Sequence, residues 1–476
     1  MLDKLNKRWN LSSRREFFQY SGSGLAGMAL IDMLERDGCL KAAAVVDPLA
    51  PKAPHHAAKA KAIIWLFMEG GPSHIDLFDP KPKLLDLAGK PLPDSFRRPR
   101  TSRNTANNTL LPSKRSFKQY GHSGIWISDW FPHISRHADQ LAVIRSCKAD
   151  GLTHPMGVCQ MNTGDFLPGR PSMGAWVTYG LGSANRDLPS FVVMLDDRDP
   201  NGGPTNWGSG FLPATFQGTQ LRTGSVPILN LRPPQGTTIS EQRRKLELLK
   251  QLDLEYARDK TDDTELEARI RSYELAFQMQ SAAPEAVDLS KESAATKNLY
   301  GLDRRETAVF GANCLMARRL VERGVRFVEL YCGSGSQWDA HIDVEENHSK
   351  MCLASDKPIA GLLADLKARG MLQKTLVVWG GEFGRTPFNE QGLGRDHNPY
   401  GFTMWLAGGG VKGGQAIGST DDVGLNAVDR PHHVHDVHAS ILHLLGLNQY
   451  KLTFFHNGRY ERPTLTGGSL INELFV

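Results

Sequence analysis

The segment TLVVWGGEFGRTP, from Thr375 to Pro387, joins a strand pattern to a charged turn. Its first five residues are mostly apolar and β-branched or aromatic, which is typical of a strand that is buried on both faces of a sheet. Two glycines, Glu382 and then Gly-Arg-Thr-Pro follow at once. Because a buried strand normally ends in a polar turn, a carboxylate between glycines indicates a special role for this strand end. The residues that follow the other strands help to identify that role.

Five further apolar runs share this strand pattern: AIIWLFM (Ala62–Met68), LAVIRSC (Leu141–Cys147), SFVVML (Ser190–Leu195), VRFVELYC (Val325–Cys332) and FTMWLAG (Phe402–Gly408). Helical patterns lie between them, over Pro155–Met161, Glu306–Arg323, His348–Arg369 and Val434–Leu445. This alternation predicts an α/β fold, with a doubly wound, mostly parallel sheet and helices on both faces. Binding residues in such sheets lie at the carboxyl ends of the strands.

Two segments interrupt the alternation. Ser240–Met279 is charged with a helical period, and we predict a hairpin of two helices that is inserted into the sheet fold. Gly89–Tyr120 carries eight Lys/Arg and one acidic residue without an apolar period. This basic loop is either a lid or a solvated surface, and base rates favour the surface.

The N-terminus has the pattern of a twin-arginine export signal. Arg14-Arg15 precede Phe17-Phe18 and a glycine-rich apolar stretch, and KAAAVV offers a small-residue cleavage site near Ala44. The order of charge, apolar stretch and cleavage site predicts a signal peptide and a periplasmic or extracellular protein, exported by the twin-arginine machinery. The alternative is a cytosolic amphipathic helix that contains an Arg-Arg pair.

These patterns give a domain plan. We predict a signal peptide over residues 1–44, a linker over 45–61, and one α/β domain over 62–476 with a helical insertion at about 240–300. Since no later apolar run reaches about 20 residues, no transmembrane segment is expected. The six cysteines form no CxxC pair, which removes zinc-ribbon and thioredoxin-like classes.

The overall charge is nearly balanced. The chain has a net charge of +5, and residues 45–476 have 49 Lys/Arg against 46 Asp/Glu. This balance gives no reason to expect a nucleic acid as a partner. The sequence leaves the oligomeric state open.

Polar and charged side chains that could take part in catalysis or metal binding follow most of the predicted strands. His74, Asp76 and Asp79 come after the first strand, Thr153 and His154 after the second, Asp339, His341 and Asp343 after Val325–Cys332, and Glu382, Arg385, Asp396 and His397 after Thr375–Trp379. A doubly wound sheet brings these ends to one edge. Converging carboxylates and imidazoles repel or lack partners without a cation, so this arrangement predicts one or two divalent metal ions, zinc or calcium/magnesium.

Each candidate also has a plain structural interpretation. Asp79 is better explained as a turn cap. For His154 the alternative is a packing residue at a helix start, and for His74 a metal ligand and a surface histidine fit the sequence equally well. The tract HHVHDVH (His432–His438) resembles a metal tract but opens a helix, where we favour structural roles for His435 and His438. The shared position at strand ends supports the metal hypothesis more than any single residue does.

Several segments together resemble one bacterial family: LFMEGGPSHIDLFDPKP, SGIWISDWFPHISRHADQLAVIRSC, WDAHI, WGGEFGRTP, GRDHNPYGFTMWLAGGGVKGG and HDVHASILHLLGL. The family is the one called domain of unknown function 1501, which is grouped with the alkaline phosphatase and sulfatase superfamily. The resemblance covers about residues 60–450. It implies an alkaline-phosphatase-like fold with metal ions at the carboxyl edge of the sheet.

The resemblance also implies site residues. Asp76 is similar to the superfamily's first metal-binding aspartate, Asp339 and His341 to its middle pair, and His397 to its last histidine. Its later aspartate–histidine pair falls at Glu382-Phe383, which implies Glu382 as a metal ligand and Arg385 as a group that binds a substrate anion.

Two departures from the superfamily pattern bear on the chemistry. Phe383 stands where a histidine is usual, which puts one of two metals in doubt. His154 occupies the position of the sulfatase Cys or Ser nucleophile, and there is no CxPxR segment. A formylglycine nucleophile is therefore absent, and either His154 or the adjacent Thr153 is the candidate to attack or to shuttle a proton.

Three functions follow as expectations. The leading one is an exported metal-dependent hydrolase of phosphate or sulfate esters, with an anionic small molecule or polysaccharide as substrate. The alternative is a non-catalytic descendant of the fold that binds metal or polysaccharide. A phosphomutase or transferase is a third, and it would need Thr153 as its nucleophile.

Overall fold

The sheet that the sequence predicts is present and has further short strands at its borders. The computed structural model describes residues 47–222, 238–257, 273–275, 277–279 and 285–475. Within these ranges, nine strands form one sheet and eight others form two-stranded ribbons. The sheet strands are β1 (Ala62–Met68), β4 (Leu141–Lys148), β5 (Phe191–Met194), β6 (Thr219–Leu221), β7 (Phe327–Cys332), β8 (Thr375–Gly380), β11 (Phe402–Gly408), β12 (Gln415–Ile417) and β15 (His432–His433).

The ribbons lie outside this sheet. They pair β2 (Phe117–Tyr120) with β3 (Ile125–Ser128), β9 (Gly384–Arg385) with β10 (His397–Asn398), β13 (Ser419–Thr420) with β14 (Ala427–Asp429), and β16 (Phe454–His456) with β17 (Arg459–Glu461). The ribbon of β9 and β10 matters most for the site, because it places His397 opposite Arg385.

The sheet order explains why several strand ends meet. The order is β12-β4-β11-β8-β1-β7-β5-β6, and β15 also pairs with β4. β1 is central and runs parallel to β7 and β8, whereas β11 is antiparallel to both β8 and β4. Consequently β1, β4, β7 and β8 all end at one edge, and the prediction of a mostly parallel sheet is confirmed.

Helices cover both faces of the sheet. They are α1 (His74–Leu77), α2 (Lys83–Asp86), α3 (His154–Thr163), α4 (Met173–Leu181), α5 (Ile239–Ala257), α6 (Ala294–Leu299), α7 (Arg305–Glu322), α8 (Val344–Ala368) and α9 (Val434–Leu444). Ile64 and Leu66 of β1 belong to the core shared with α7 and α8. Trp65 and Phe67 belong to the core shared with α3, α4 and α9. This period-two split of one strand between two cores confirms the doubly wound architecture.

The predicted elements match the structure within a few residues. The runs Ala62–Met68 and Phe402–Gly408 are strands with those bounds, and the last predicted helix ends at Leu444. The helix α4 was not predicted, because its glycines and aromatic residues hide the helical period. The antiparallel direction of β11 was also not predicted, because strand direction leaves no mark on an apolar run.

Several expectations fall at or beyond the described ranges. The export signal lies outside them, and so does most of the second helix of the predicted hairpin. Its first helix is present as α5. The predicted linker is partly described: from Leu49 the chain belongs to the compact unit, and the backbone amides of Lys59 and Ala60 both donate to the carbonyl of Leu444 at 2.9 Å.

None of the helices in the described ranges has both the length and the apolar composition that are needed to cross a membrane.

Candidate metal site at the carboxyl edge of the sheet

Four side chains converge at the carboxyl edge of the sheet. His154 begins α3 just after β4, Asp339 and His341 follow β7, and His397 lies in β10. One potential ligand atom from each lies within 4.8 Å of all the others. Pro155 in the first turn fixes the start of α3 at His154, because its ring sets a helical φ and lacks an N–H that would need a partner. All four were candidates from the sequence.

The three imidazoles are held in the same way. Each Nδ1 lies at hydrogen-bond distance from an oxygen outside the cluster: His154 from Glu382 Oε1 at 2.7 Å, His341 from Glu390 Oε2 at 2.6 Å, and His397 from the carbonyl of Leu152 at 2.9 Å. A carboxylate or carbonyl oxygen can only accept, so each Nδ1 must carry the proton and donate it. In a neutral ring this leaves Nε2 with its lone pair available.

The three Nε2 atoms all face Asp339. His341 Nε2 lies 3.0 Å from Asp339 Oδ1, His397 Nε2 lies 3.6 Å from the same oxygen, and His154 Nε2 lies 3.2 Å from Oδ2. Within the described ranges, Nε2 of His154 and of His397 are buried and make no hydrogen bond. Buried polar atoms without a partner are costly, and a cation between these lone pairs and the carboxylate would satisfy them.

Burial and charge shift the pKa values of the cluster in opposite directions. Burial opposes protonation of His154, but the nearby carboxylates of Asp339 and Glu382 outweigh it and raise its pKa to about 9. Burial also lowers the pKa of His341 and of His397. Although burial disfavours its charge, contacts with His154, His397 and Arg385 hold the pKa of Asp339 well below its usual range. Asp339 is therefore an anion at neutral pH.

Glu382 does not belong to the four-residue cluster. Its carboxylate is fully buried and accepts from the amide of Gly70 at 3.0 and 3.1 Å as well as from His154. The structure thus places Glu382 behind His154 and not in the position of a direct ligand. This resembles the carboxylate–histidine–metal arrangement, in which the outer carboxylate fixes the ring and raises its basicity.

The glycines around Glu382 have a steric purpose. A Cβ at Gly381 would lie 2.5 Å from the carbonyl oxygen of Met68, so the chain crosses the end of β1 only with glycine there. Gly70 has a φ of +121°, and a Cβ on it would lie 2.5 Å from the amide of Asp339. Both glycines allow three strand ends to touch closely enough to bring Glu382 to His154.

Arg385 is not placed to bind a substrate anion. It is fully buried, and its guanidinium donates to the carbonyls of Gly71 at 2.9 Å and Arg395 at 3.1 Å, to that of Gly70, and to Asp339 Oδ1 at 2.7 Å. Each nitrogen of the guanidinium already donates to the protein. Through its contact with Oδ1, Arg385 orients the Asp339 carboxylate. The anion-binding expectation is corrected accordingly.

Asp76 is likewise not brought into the cluster. It is fully buried in α1, where its Oδ2 accepts from Arg395 Nε at 2.9 Å and from Ser73 Oγ at 2.5 Å. Its Oδ1 lies 3.3 Å from Arg395 Nη2. The aspartate that the resemblance implied as a ligand is instead half of a buried ion pair.

The remaining predicted residues surround the cluster or lie apart from it. Thr153 is the exposed N-cap residue of α3, and its side chain makes no capping hydrogen bond. The ring of Phe383 stacks on that of His397 with 4.4 Å between centroids. His74 is buried with its Nε2 2.7 Å from the carbonyl of Gly424. His435 and His438 contact carbonyls at the end of α3, in agreement with a structural role.

The match to a family model covers residues 60–475, and the model describes a protein of unknown function, DUF1501. The chain belongs to the DUF1501 family. No curated protein matches the sequence. The family resemblance that the motifs predicted is confirmed.

Distant likenesses to solved structures accompany the family match. The alkaline phosphatase from the Antarctic bacterium TAB5 is 11% identical with a TM-score of 0.38, over 82% of this chain and 99% of that one. Ps i-CgsB, solved in complex with k-i-k-neocarrahexaose, is 9% identical with a TM-score of 0.36, over 81% and 72%. The PsFucS1 sulfatase from Pseudoalteromonas sp. is 13% identical with a TM-score of 0.32, over 81% and 68%. Likenesses this distant say nothing about the reaction.

In this DUF1501 chain, Glu390 was not among the residues predicted from the sequence, and Asp396 was named there without a role. Glu390 is buried and binds His341, although FNEQGLG reads as an ordinary polar loop. Asp396 accepts from the amides of Arg103 and His397, at 2.9 and 2.7 Å, and from Thr105 Oγ1 at 3.0 Å. A second group of potential ligands contains His341, Glu390 and Asp396. Since these hydrogen bonds already occupy Asp396, the four-residue cluster is the better candidate.

Proposed function

We propose that the chain is an exported metal-dependent hydrolase of phosphate or sulfate esters, with its metal held by His154, Asp339, His341 and His397. The observation that carries this proposal is the convergence of three imidazole Nε2 atoms on the Asp339 carboxylate, while each Nδ1 is hydrogen-bonded to an oxygen outside the cluster. Three nitrogens and one oxygen suit zinc or a similar transition metal. They suit calcium and magnesium poorly, because those ions prefer oxygen ligands.

The residues around the cluster would keep this site in one geometry. Glu382 and Glu390 fix the rings of His154 and His341 and increase their basicity. Arg385 holds one oxygen of Asp339 and balances part of its charge. The third ring, that of His397, is held by the Leu152 carbonyl and by stacking on Phe383, so it also has little freedom to turn.

The proposed reaction is attack of water on the phosphorus or sulfur of the ester. A new bond to the water oxygen forms, the bond to the ester oxygen breaks, and the leaving alcohol takes up a proton. A bound divalent cation supplies Lewis acidity that polarises the ester oxygen and favours an ionised nucleophile. His154 would be held as a ligand by contacts on both ring nitrogens, which argues against its attack on the substrate.

Export is part of the proposal and rests on the N-terminal sequence alone. Arg14-Arg15, the apolar stretch and the cleavage site near Ala44 have the order of a twin-arginine signal. We therefore propose a periplasmic or extracellular location. N-terminal sequencing of the protein from a periplasmic fraction should find a start near residue 45, and an uncleaved cytoplasmic chain would contradict export.

The test of the metal site is elemental analysis of purified mature protein. We expect about one equivalent of zinc or a similar divalent ion in the wild type, its loss in an Asp339→Ala/His341→Ala variant, and its retention in His122→Ala. His122 is a suitable control because its side chain is fully exposed in another loop. A wild type that holds no metal and takes none up on titration would overturn the proposal.

An ester screen with the metal-loaded protein separates the two leading functions. Turnover of a phosphate or sulfate ester that disappears in the double variant supports the hydrolase. The non-catalytic alternative is favoured by one feature, namely that the four cluster residues are placed as potential ligands and none of them as a nucleophile. Stoichiometric metal without turnover of any ester in the screen would support that alternative.

A further inference from the structure

A hydrolase of anionic esters needs a positively charged side chain that can reach the substrate. Two arginines near the site do not meet this need. Arg385 is occupied as described above. Arg395 is fully buried and donates to Asp76, to the carbonyl of Leu111 at 2.9 Å and to that of Thr386 at 3.2 Å. Both guanidinium groups therefore make their hydrogen bonds inside the protein and are not available to a substrate.

Arg103 differs from these two in exposure and in how it is held. Its side chain is 52% exposed, and its Nε lies 3.4 Å from Glu390 Oε1. That oxygen has no hydrogen bond in the described ranges, so the contact is a loose ion pair. The other oxygen of Glu390 accepts from His341. The Arg103 guanidinium is thus two contacts away from a proposed metal ligand.

The backbone around Arg103 is fixed to the site. Its amide donates to Asp396 at 2.9 Å, and the side chains of Ser102 and Thr105 donate to the same carboxylate. Asp396 directly precedes the cluster residue His397. These contacts do not involve the Arg103 side chain, so the segment would stay in place if that side chain were changed.

The same segment has a strong positive charge. Residues 97–107 include Arg97, Arg98, Arg100 and Arg103 and no acidic residue, and all four arginines are exposed. The hydroxyl of Tyr400 donates to the carbonyl of Arg100 at 2.8 Å, which ties this part of the loop to the ribbon beyond His397. Part of the basic loop seen in the sequence is therefore a positively charged border of the candidate site.

We infer that Arg103 is the anion-binding residue of the site and determines its specificity for tetrahedral oxyanions, the phosphate or sulfate group of the substrate. This inference rests on the proposed function and deepens it. The guanidinium exchanges its loose contact with Glu390 for two parallel hydrogen bonds to oxygens of the anion, a geometry that arginine matches better than lysine.

The experiment measures binding of inorganic phosphate by calorimetry to wild type, Arg103→Ala, Arg103→Lys and a control, Arg186→Ala. Arg186 is exposed and lies before β5, at the opposite end of that strand from the site. We expect Arg103→Ala to weaken phosphate binding about tenfold or more, which is the effect of losing a charge-assisted contact. Arg103→Lys should recover part of the affinity, and the control should match wild type.

Metal content and thermal midpoint are measured on the same samples, and phosphate binding is measured with and without added metal. Weaker phosphate binding in Arg103→Ala at unchanged metal content supports the inference. An affinity within about twofold of wild type, or a wild type that binds no phosphate in either state, overturns it. If the wild type holds no metal, the proposed function fails, and the metal-free titrations still decide the role of Arg103.

Discussion

His154 Nδ1 donates to Glu382 Oε1 at 2.7 Å, across 228 residues of sequence. This bond joins the start of α3 to the end of β8, and it turns Nε2 of the same ring toward Asp339. Glu382, the glutamate between glycines, therefore acts on the site through His154. Its position explains why a charged residue follows a fully buried strand.

Glu382→Gln should weaken metal binding while leaving the ligands in place. The amide keeps the shape of the side chain but removes the charge that raises the basicity of His154, and changes of this kind cost about 10–100-fold in metal affinity. Competition with a chromogenic chelator measures the effect. Glu322→Gln, at a half-exposed position on α7, is the control, and an affinity equal to wild type in Glu382→Gln would refute the positioning role.

Asp76 should contribute to stability and not to metal binding. Its ion pair with Arg395 is fully buried at 2.9 Å, so Asp76→Asn leaves a buried guanidinium without its counter-charge. Breaking such a pair costs about 3–5 kcal/mol in the free energy of unfolding, which urea denaturation can measure. An Asp76→Asn/Arg395→Met double variant should recover part of this loss. A metal content that falls in Asp76→Asn while the folded structure persists would restore Asp76 as a ligand.

The sequence predicts the scaffold better than the partners of its side chains. β1 and β11 could be located to the residue because they are continuous apolar runs between glycines and charges. His154, Asp339, His341 and His397 could be chosen because each follows a strand, and parallel strands end at one edge.

What the sequence could not give are the contacts between distant residues. Asp76 and Arg395 are 319 residues apart, and either could pair with several other groups. Glu390 lies in a loop without any recognisable pattern, and only the fold brings it to His341. Arg385 has the right chemistry for an anion, yet the backbone carbonyls of Gly70 and Gly71 occupy it, which no residue pattern records.

Thr153→Ala should retain metal and most of the ester turnover if water is the nucleophile. Thr153 is exposed and makes no capping bond, so its hydroxyl is dispensable for the fold. We expect kcat/KM to stay within about fivefold of wild type, a change of about 1 kcal/mol in the activation free energy. Loss of turnover in Thr153→Ala with recovery in Thr153→Ser would identify a covalent intermediate on threonine instead.

Glu329 should make the fold less stable as the pH rises. It lies in the middle of β7, completely buried, and its Oε1 makes no hydrogen bond in the described ranges. Burial raises its pKa from 4.5 to about 8. Between these values the unfolded chain has released the proton and the folded chain has kept it, so the free energy of unfolding falls with rising pH across this window. Above about pH 8 both states are ionised and this dependence ends.

Glu329→Gln tests this dependence, because the amide stays neutral at every pH. Urea denaturation at pH 5 and pH 8 gives the change in unfolding free energy across this window. In Glu329→Gln that change should be more favourable to the folded state than in wild type, by several kcal/mol at most. Asp356 contributes in the same direction, because burial raises its pKa to about 7, so Asp356→Asn is measured beside it and some dependence should persist in each single variant. Burial lowers the pKa of His348 and of His438 to about 3, so these two residues make the fold more stable as the pH rises, and the comparison with wild type is what decides. A change in unfolding free energy from pH 5 to pH 8 that is the same in Glu329→Gln as in wild type would show that the Glu329 carboxyl is not held neutral in the folded protein.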